Sequence, residues 1–308
     1  MSIRFRRAQP ADIPHCQHLI TCDRPMLSPA NWRRFPALLS DLLARERILL
    51  VIIEEPATGR YRMCGGSAFV DAAFLAQALE HPTSSILDQA LTAEALNGGI
   101  FLSPRRVAGE NGKGELRLLN FLGVPDFTGL AGPDGNLMYA TINEAWRFHH
   151  YGFQLREFYS ESTHPQMAEF MRGMQCELAR ERAVNEGETA RTFRFTREDA
   201  LRKTGGNISF MFIAPLPRFG FSLPEQRLLE MVLMDYSDRE ISDRLGVTAD
   251  AVKKRWRSIY DRVRGVEAGL VPTGASGPDQ RRQLLQYLRQ HLEEIRPYQA
   301  PEGTTPAG

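Results

Sequence analysis

Residues 221–263, FSLPEQRLLEMVLMDYSDREISDRLGVTADAVKKRWRSIYDRV, divide into three short helices with little chain between them. Ser222 and Glu225 have capping-box spacing, in which each side chain takes up an amide that the helix start leaves free. Leu228, Leu229, Val232 and Leu233 then recur at helical intervals, which predicts a helix over 224–234 with one buried face. Ser237 and Glu240 repeat the cap for a second helix, with Ile241 and Leu245 inward and Gly246 as its stop. Thr248 caps a third, from about 249 to 264. A helix stopped at a glycine and restarted within about three residues is a helix-turn-helix arrangement, whose last helix can enter the major groove of DNA.

The third helix has two unlike faces. Val252, Ile259 and Val263 form the packed side, with Trp256 or Tyr260 beside them, while Lys253, Lys254 and Arg257 form the other, with Arg255 at its margin. Between Thr248 and Arg264 six basic residues stand against two acids, an excess of four in a chain whose net charge is +1. A solvated basic face alone would be unremarked; here it coincides with the capped three-helix spacing, and such side chains can neutralise phosphates and donate to guanine edges.

The stretch resembles the LuxR-type helix-turn-helix of quorum-sensing and response regulators. Glu225, Leu229, Ser237, Glu240, Ile241, Leu245, Gly246, Val252, Lys253, Ile259 and Val263 carry the resemblance without a gap. It implies that Val252 and Ile259 hold the recognition helix on its core while Thr248, Lys253, Lys254, Arg255 and Arg257 face DNA. Ala251 and Arg255 stand where that family usually has Thr and His, so base preference does not carry over.

The 308 residues suffice for two domains with cores of their own. A near-neutral balance confines any nucleic-acid contact to a patch. Four cysteines, Cys16, Cys22, Cys64 and Cys176, are scattered without a CxxC pair, so no metal site or disulfide framework is expected. No run of about 18 apolar residues and no signal peptide are present, so a cytoplasmic protein without membrane contact is expected. The Pro/Gly-rich tail, 299–308, is expected to be disordered.

Upstream, strands are predicted at 3–8, 48–54, 61–70, 115–124, 154–160, 192–196 and 207–214, with a hairpin turn at Ala57-Thr58-Gly59. Helices are predicted at 10–19, 31–45, 72–96 broken at Pro82, 136–148 and 165–182. This order of β-α-α-β-β-(insert)-β-α-β-α-β-β, with the opening IRFRRAQPADIPHCQHL, is similar to the GNAT acyltransferase fold. The resemblance implies an acyl-CoA pyrophosphate cradle at a helix start. Its counterpart is Asp126-x-x-Gly129-x-Ala131, with Gly129 and Ala131 the candidate cofactor-binding residues and Asp126 an anion where phosphates would lie.

Glu115 or Glu157 could serve as a base and Tyr159 as an acid, although lone groups of this kind on strands are usually solvated or packed. His149 and His150 point about 100° apart on a helix and do not suit one metal. Trp32, Phe69, Phe74, Phe101, Trp146 and Phe153 read as core or cavity aromatics. Pro215 to Phe219 favours an extended linker, and 279–295 reads as a helix with a leucine stripe that packs or dimerises.

The fold class expected is α+β: an N-terminal GNAT-like domain with a mixed sheet over 1–214, a linker at 215–221, and a four-helix LuxR-type domain over 222–298. The function expected is transcriptional regulation of promoter DNA by a homodimer. In it, the N-terminal domain senses a small-molecule or protein effector, with no catalysis and no required cofactor. The alternative is a GNAT-type N-acyltransferase, binding acyl-CoA, fused to a DNA-targeting module.

Overall fold

The computed structural model describes residues 2–20, 26–80, 84–123, 125–185, 187–203 and 208–300. Cys22, Pro82, Asn207 and the tail beyond residue 300 lie outside them. Seven strands form one mixed sheet: β1 (Arg4–Arg7), β2 (Leu49–Glu55), β3 (Arg60–Phe69), β4 (Leu116–Leu122), β5 (Leu155–Ser162), β6 (Glu177–Asn185) and β7 (Glu188–Thr196). Their order is β1-β2-β3-β4-β5-β7-β6. All neighbours are antiparallel except β4 and β5. The β2–β3 turn needs a left-handed residue, which Gly59 supplies at φ 67°.

Both faces of the central strands are covered, which is why LLVIIEE reads as a nearly unbroken apolar run. On one face Leu50, Ile52, Cys64, Leu119, Phe121 and Tyr159 pack against α1 (Ile13–Ile20), α2 (Pro29–Ala44), α3 (Ala72–Glu80) and α4 (Ile86–Asn97). Leu116, Leu118, Phe158, Phe193 and Phe195 make a second cluster with α5 (Pro104–Lys113) and α7 (Pro165–Gly173). The long α6 (Pro133–His150) lies between β4 and β5 in sequence and packs on β1 and β2.

The expected element order is present, with differences at α5, β6, residues 208–214 and α8, a short helix over Arg197–Arg202. Residues 104–113 form α5, signalled by the Ser103 cap, Pro104 in the first turn and Gly114 in the left-handed region after the last. The helix predicted over 165–182 stops at Gly173. Gln175 takes φ 62°, and ELARERAVN becomes β6, an edge strand whose many charges resemble the wet side of a helix. Residues 208–214 are no strand: Ser209–Met211 is a 3-10 turn, with Ile208, Met211 and Phe212 buried. After α8 (Arg197–Arg202), the C-terminal part holds α9 (Leu223–Leu233), α10 (Asp238–Leu245), α11 (Ala249–Val266) and α12 (Gly277–Gln290), then a 3-10 turn, Leu292–Ile295.

Phe219 and Phe221, in the segment expected to be a linker, are buried in the core of this unit with Leu284, Leu288, Leu292 and Ile295. The leucine stripe therefore packs inside its own chain. Arg296 joins the two parts. Its Nε donates to Tyr151 O at 2.6 Å and its Nη2 to Phe148 O, taking up carbonyls at the end of α6. Asn111 Nδ2 donates to Pro297 O and Gln299 N to Ala108 O.

Candidate functional site

A parallel pair of strands that stops pairing leaves a gap in the sheet. β4 and β5 pair from Leu116↔Leu155 to Asn120↔Ser160, and there the ladder ends although both strands run two residues further. Beyond that point β4 stays paired to β3 and β5 to β7. The edges facing each other across the gap have no ladder partners, so they can hydrogen-bond an extended ligand.

On one side of the gap, α6 and α7 enclose a cleft of about 200 Å³ with these strands. Its floor includes Val51, Met63, Asn120 and Phe158, and its walls include Tyr139, Ile142, Trp146, Met167, Phe170, Met171 and Met174. Among the described residues, no Asp or Glu side chain is part of the lining. Polar groups sit in a row across the strands. Ser67 is the register partner of Asn120, and Asn120 of Ser160, with Asn120 Nδ2 donating to Ser160 Oγ at 3.2 Å.

His150, at the end of α6, stands over this row. A carbonyl can only accept, so its contact at 2.9 Å to Trp146 O fixes the ring proton on Nδ1, and Nε2 accepts from Ser67 Oγ at 2.9 Å. Burial pushes the His150 pKa down to about 3, partly offset by the Trp146 carbonyl, so the ring stays neutral at physiological pH. Trp146 Nε1 is buried with no hydrogen-bond acceptor among the described residues. A buried donor of this kind in a cleft wall is a natural partner for a ligand oxygen. His164, half-buried just before α7, also lines the cleft.

The loop resembling a pyrophosphate cradle leads into the start of α6, beside the cleft residues Pro125 and Phe127. Gly129 takes φ 76° and Gly132 φ 53°, and no side chain caps the start of α6. Asp126 does not present a free anion. Arg60 holds it at 2.6 Å and Thr128 N donates to it at 2.9 Å. These bonds outweigh burial and hold its pKa down at about 2. Ala131 is exposed.

The other candidates fall elsewhere. Glu157 is engaged by Arg117 and Arg194, and Glu115 by Arg117. Tyr159 packs in the cluster on the opposite face. Of the six aromatics, Trp146 alone lines the cleft. Phe69 and Phe153 border a smaller cavity under the C-terminal part, and Trp32, Phe74 and Phe101 pack in the first core. Sequence reasoning missed Ser67, Asn120, His164 and the methionine wall.

In the C-terminal unit the expected caps form: Ser222 N to Glu225 Oε2 at 2.7 Å, Ser237 N to Glu240 Oε2 at 2.8 Å, and Ala251 N to Thr248 Oγ1 at 3.2 Å. Gly246 ends α10 at φ 61°. Thr248, Lys253, Lys254 and Arg257 are exposed, Arg255 is half-buried, and Lys254 pairs with Asp250.

No protein-family model and no curated protein matches the chain. Among solved structures, it is similar to an Arabidopsis thaliana NAA60 in complex with a bisubstrate analogue, at 14% identity and TM-score 0.39, over 63% of this chain and 98% of the other. A mosquito arylalkylamine N-acetyltransferase like 5b aligns at 12% and 0.37, over 63% and 100%. FeeM, an N-acyl amino acid synthase from uncultured soil microbes, aligns at 9% and 0.36, over 64% and 94%. Overlap at this level transfers no substrate or mechanism.

The finding does correct two expectations. Against the expected absence of catalysis and the expected LuxR-type transcription regulator, the similar structures are named as acetyltransferases or as a bisubstrate-analogue complex, and neither expectation is carried further. The physical reason is scope: about forty residues of capped helices describe their own unit and say nothing of the sheet-containing part that makes up most of the chain.

Proposed function

We propose that the N-terminal part is an N-acyltransferase that moves an acyl group from a thioester, such as acyl-CoA, to an amine. The observation that carries this reading is the gap after Asn120 and Ser160, opening beneath an apolar cleft beside the uncapped start of α6. The acyl chain lies between α6 and α7. The thioester carbonyl takes the Trp146 Nε1–H and free amides on the facing strand edges, which oppose the charge that grows on oxygen as the amine attacks. A C–N bond forms, the C–S bond breaks and the thiol leaves. The proton lost by nitrogen goes to His164 and from it to the departing thiolate, which leaves as the thiol; His150, held neutral over Ser67, positions the polar row without taking it.

The experiment follows thiol release from acyl-CoA with a panel of primary amines. Amine-dependent release is expected, falling about 10²-fold or more in His164→Gln. Release from no acyl-CoA with any amine would overturn the reading.

A second proposal concerns the appended unit, favoured by the exposed Lys253, Lys254 and Arg257 on one side of α11. As part of an enzyme, this face suits targeting to a polyanion such as DNA rather than the output of a regulator.

A further inference from the structure

We propose that the acyl group this cleft takes is a long unbranched chain of about eight carbons or more, not acetyl; this rests on the acyl-transfer reading. Three observations on different residues converge.

The first is capacity. An apolar cavity of about 150 Å³ stays dry and admits a six-carbon ring, and the cleft, at about 200 Å³, exceeds that. An acetyl group would leave most of it unfilled, against walls that are mainly apolar.

The second is the wall. Met167, Met171 and Met174 recur on one side of α7 and its following turn, facing Ile142 and Trp146 across the cleft. Methionine is unbranched and adapts to irregular apolar shapes, so this wall fits a flexible alkyl chain better than a rigid group. The polar row of Ser67, Asn120 and Ser160 lies at the strand gap, which leaves the helix side for hydrocarbon.

The third is the mouth. Tyr139 on α6 is 57% exposed and Phe170 on α7 is 43% exposed, and both line the cleft. Phe127 stands against Tyr139 with ring centroids 4.6 Å apart. Large apolar groups left in water around one opening mark a surface that a ligand covers. A chain long enough to reach from the strand gap to this rim covers it, and acetyl does not.

The test is calorimetry on the full chain with acetyl-CoA, octanoyl-CoA, dodecanoyl-CoA and dodecanoate. Affinity should rise at least about tenfold from acetyl-CoA to dodecanoyl-CoA. Met171→Trp, and Met167→Trp at a less buried place should the first fail to fold, should remove that gain. Dodecanoate bound in the native chain and lost in the filled variant, without binding of any CoA ester, would support the chain class and count against CoA as donor. Tightest binding and fastest turnover with acetyl-CoA would overturn the proposal and leave acyl transfer standing. A length gain that persists in both filled variants, or no binding of either dodecanoyl compound, would also overturn it.

Discussion

His149 and His150 are adjacent on α6 yet belong to two regions of opposite character. His150 stands over the open cleft, with both ring nitrogens engaged by Trp146 and Ser67. His149 faces the buried junction with the C-terminal unit, where Glu230 Oε1 lies 3.4 Å from its Nδ1 and Arg7 Nε 2.9 Å from the same oxygen. At the junction, charges were taken from water and had to find partners; at the cleft, apolar groups were left in water. The first arrangement holds two parts of a chain together, and the second keeps a place for something else.

The junction should respond most strongly to loss of a partner. Arg296 is fully buried and holds the last carbonyls of α6, close to Glu230. Arg296→Ala removes these bonds and one of the positive charges near Glu230, for an expected loss of about 3–5 kcal/mol in denaturant unfolding. A loss below about 1 kcal/mol would show that Arg296 does not hold the two parts together as described.

Acid should act next. Burial lowers the His149 pKa to about 4 against a partial opposing pull from Glu230, and His150 is lowered to about 3. Glu230 is held down at about 2: burial opposes this, and Arg7 and His149 outweigh it. Unfolded histidine binds its proton near pH 6.5 while the folded rings stay neutral. Between about 6.5 and 4 the unfolded state therefore holds more protons, and stability falls as pH falls. For His149 the loss at pH 4 is on the order of 3 kcal/mol. Glu230 keeps its charge in the folded state throughout this window but binds a proton in the unfolded state near pH 4.5, so the slope above about pH 5 belongs to the histidines, and there His149→Phe should flatten it in thermal unfolding followed against pH.

The cleft rim should respond least. Tyr139→Ser is expected to change stability by no more than about 0.5 kcal/mol, since the ring is mostly in water. It should still weaken binding of a long acyl chain. A large destabilisation would make Tyr139 a packing residue and remove the contrast between rim and junction.

The two regions were also unequally legible in the sequence. Helix caps join residues three apart, so Ser222 with Glu225 and Ser237 with Glu240 declare themselves locally, and the bonds form as the spacing says. The positions of most strands in the N-terminal part followed from runs such as LLVIIEE. β6 did not, because an exposed edge strand carries charges that imitate a helix. The cleft required long-range pairing: Ser67, Asn120 and His150 come from three elements and carry no shared local signal. The spacing of Met167, Met171 and Met174 was a signal that could have been read, as one helical side lined by flexible apolar groups. Arg296 had none, since its role depends on where α6 ends.

Hydrogen exchange on the full chain, with and without dodecanoyl-CoA, tests the cleft most directly. Slower exchange in α6, in α7 and at the end of β4 is the expected result. No change there, with slowing confined to α9 through α12, would contradict the placement of the acyl site.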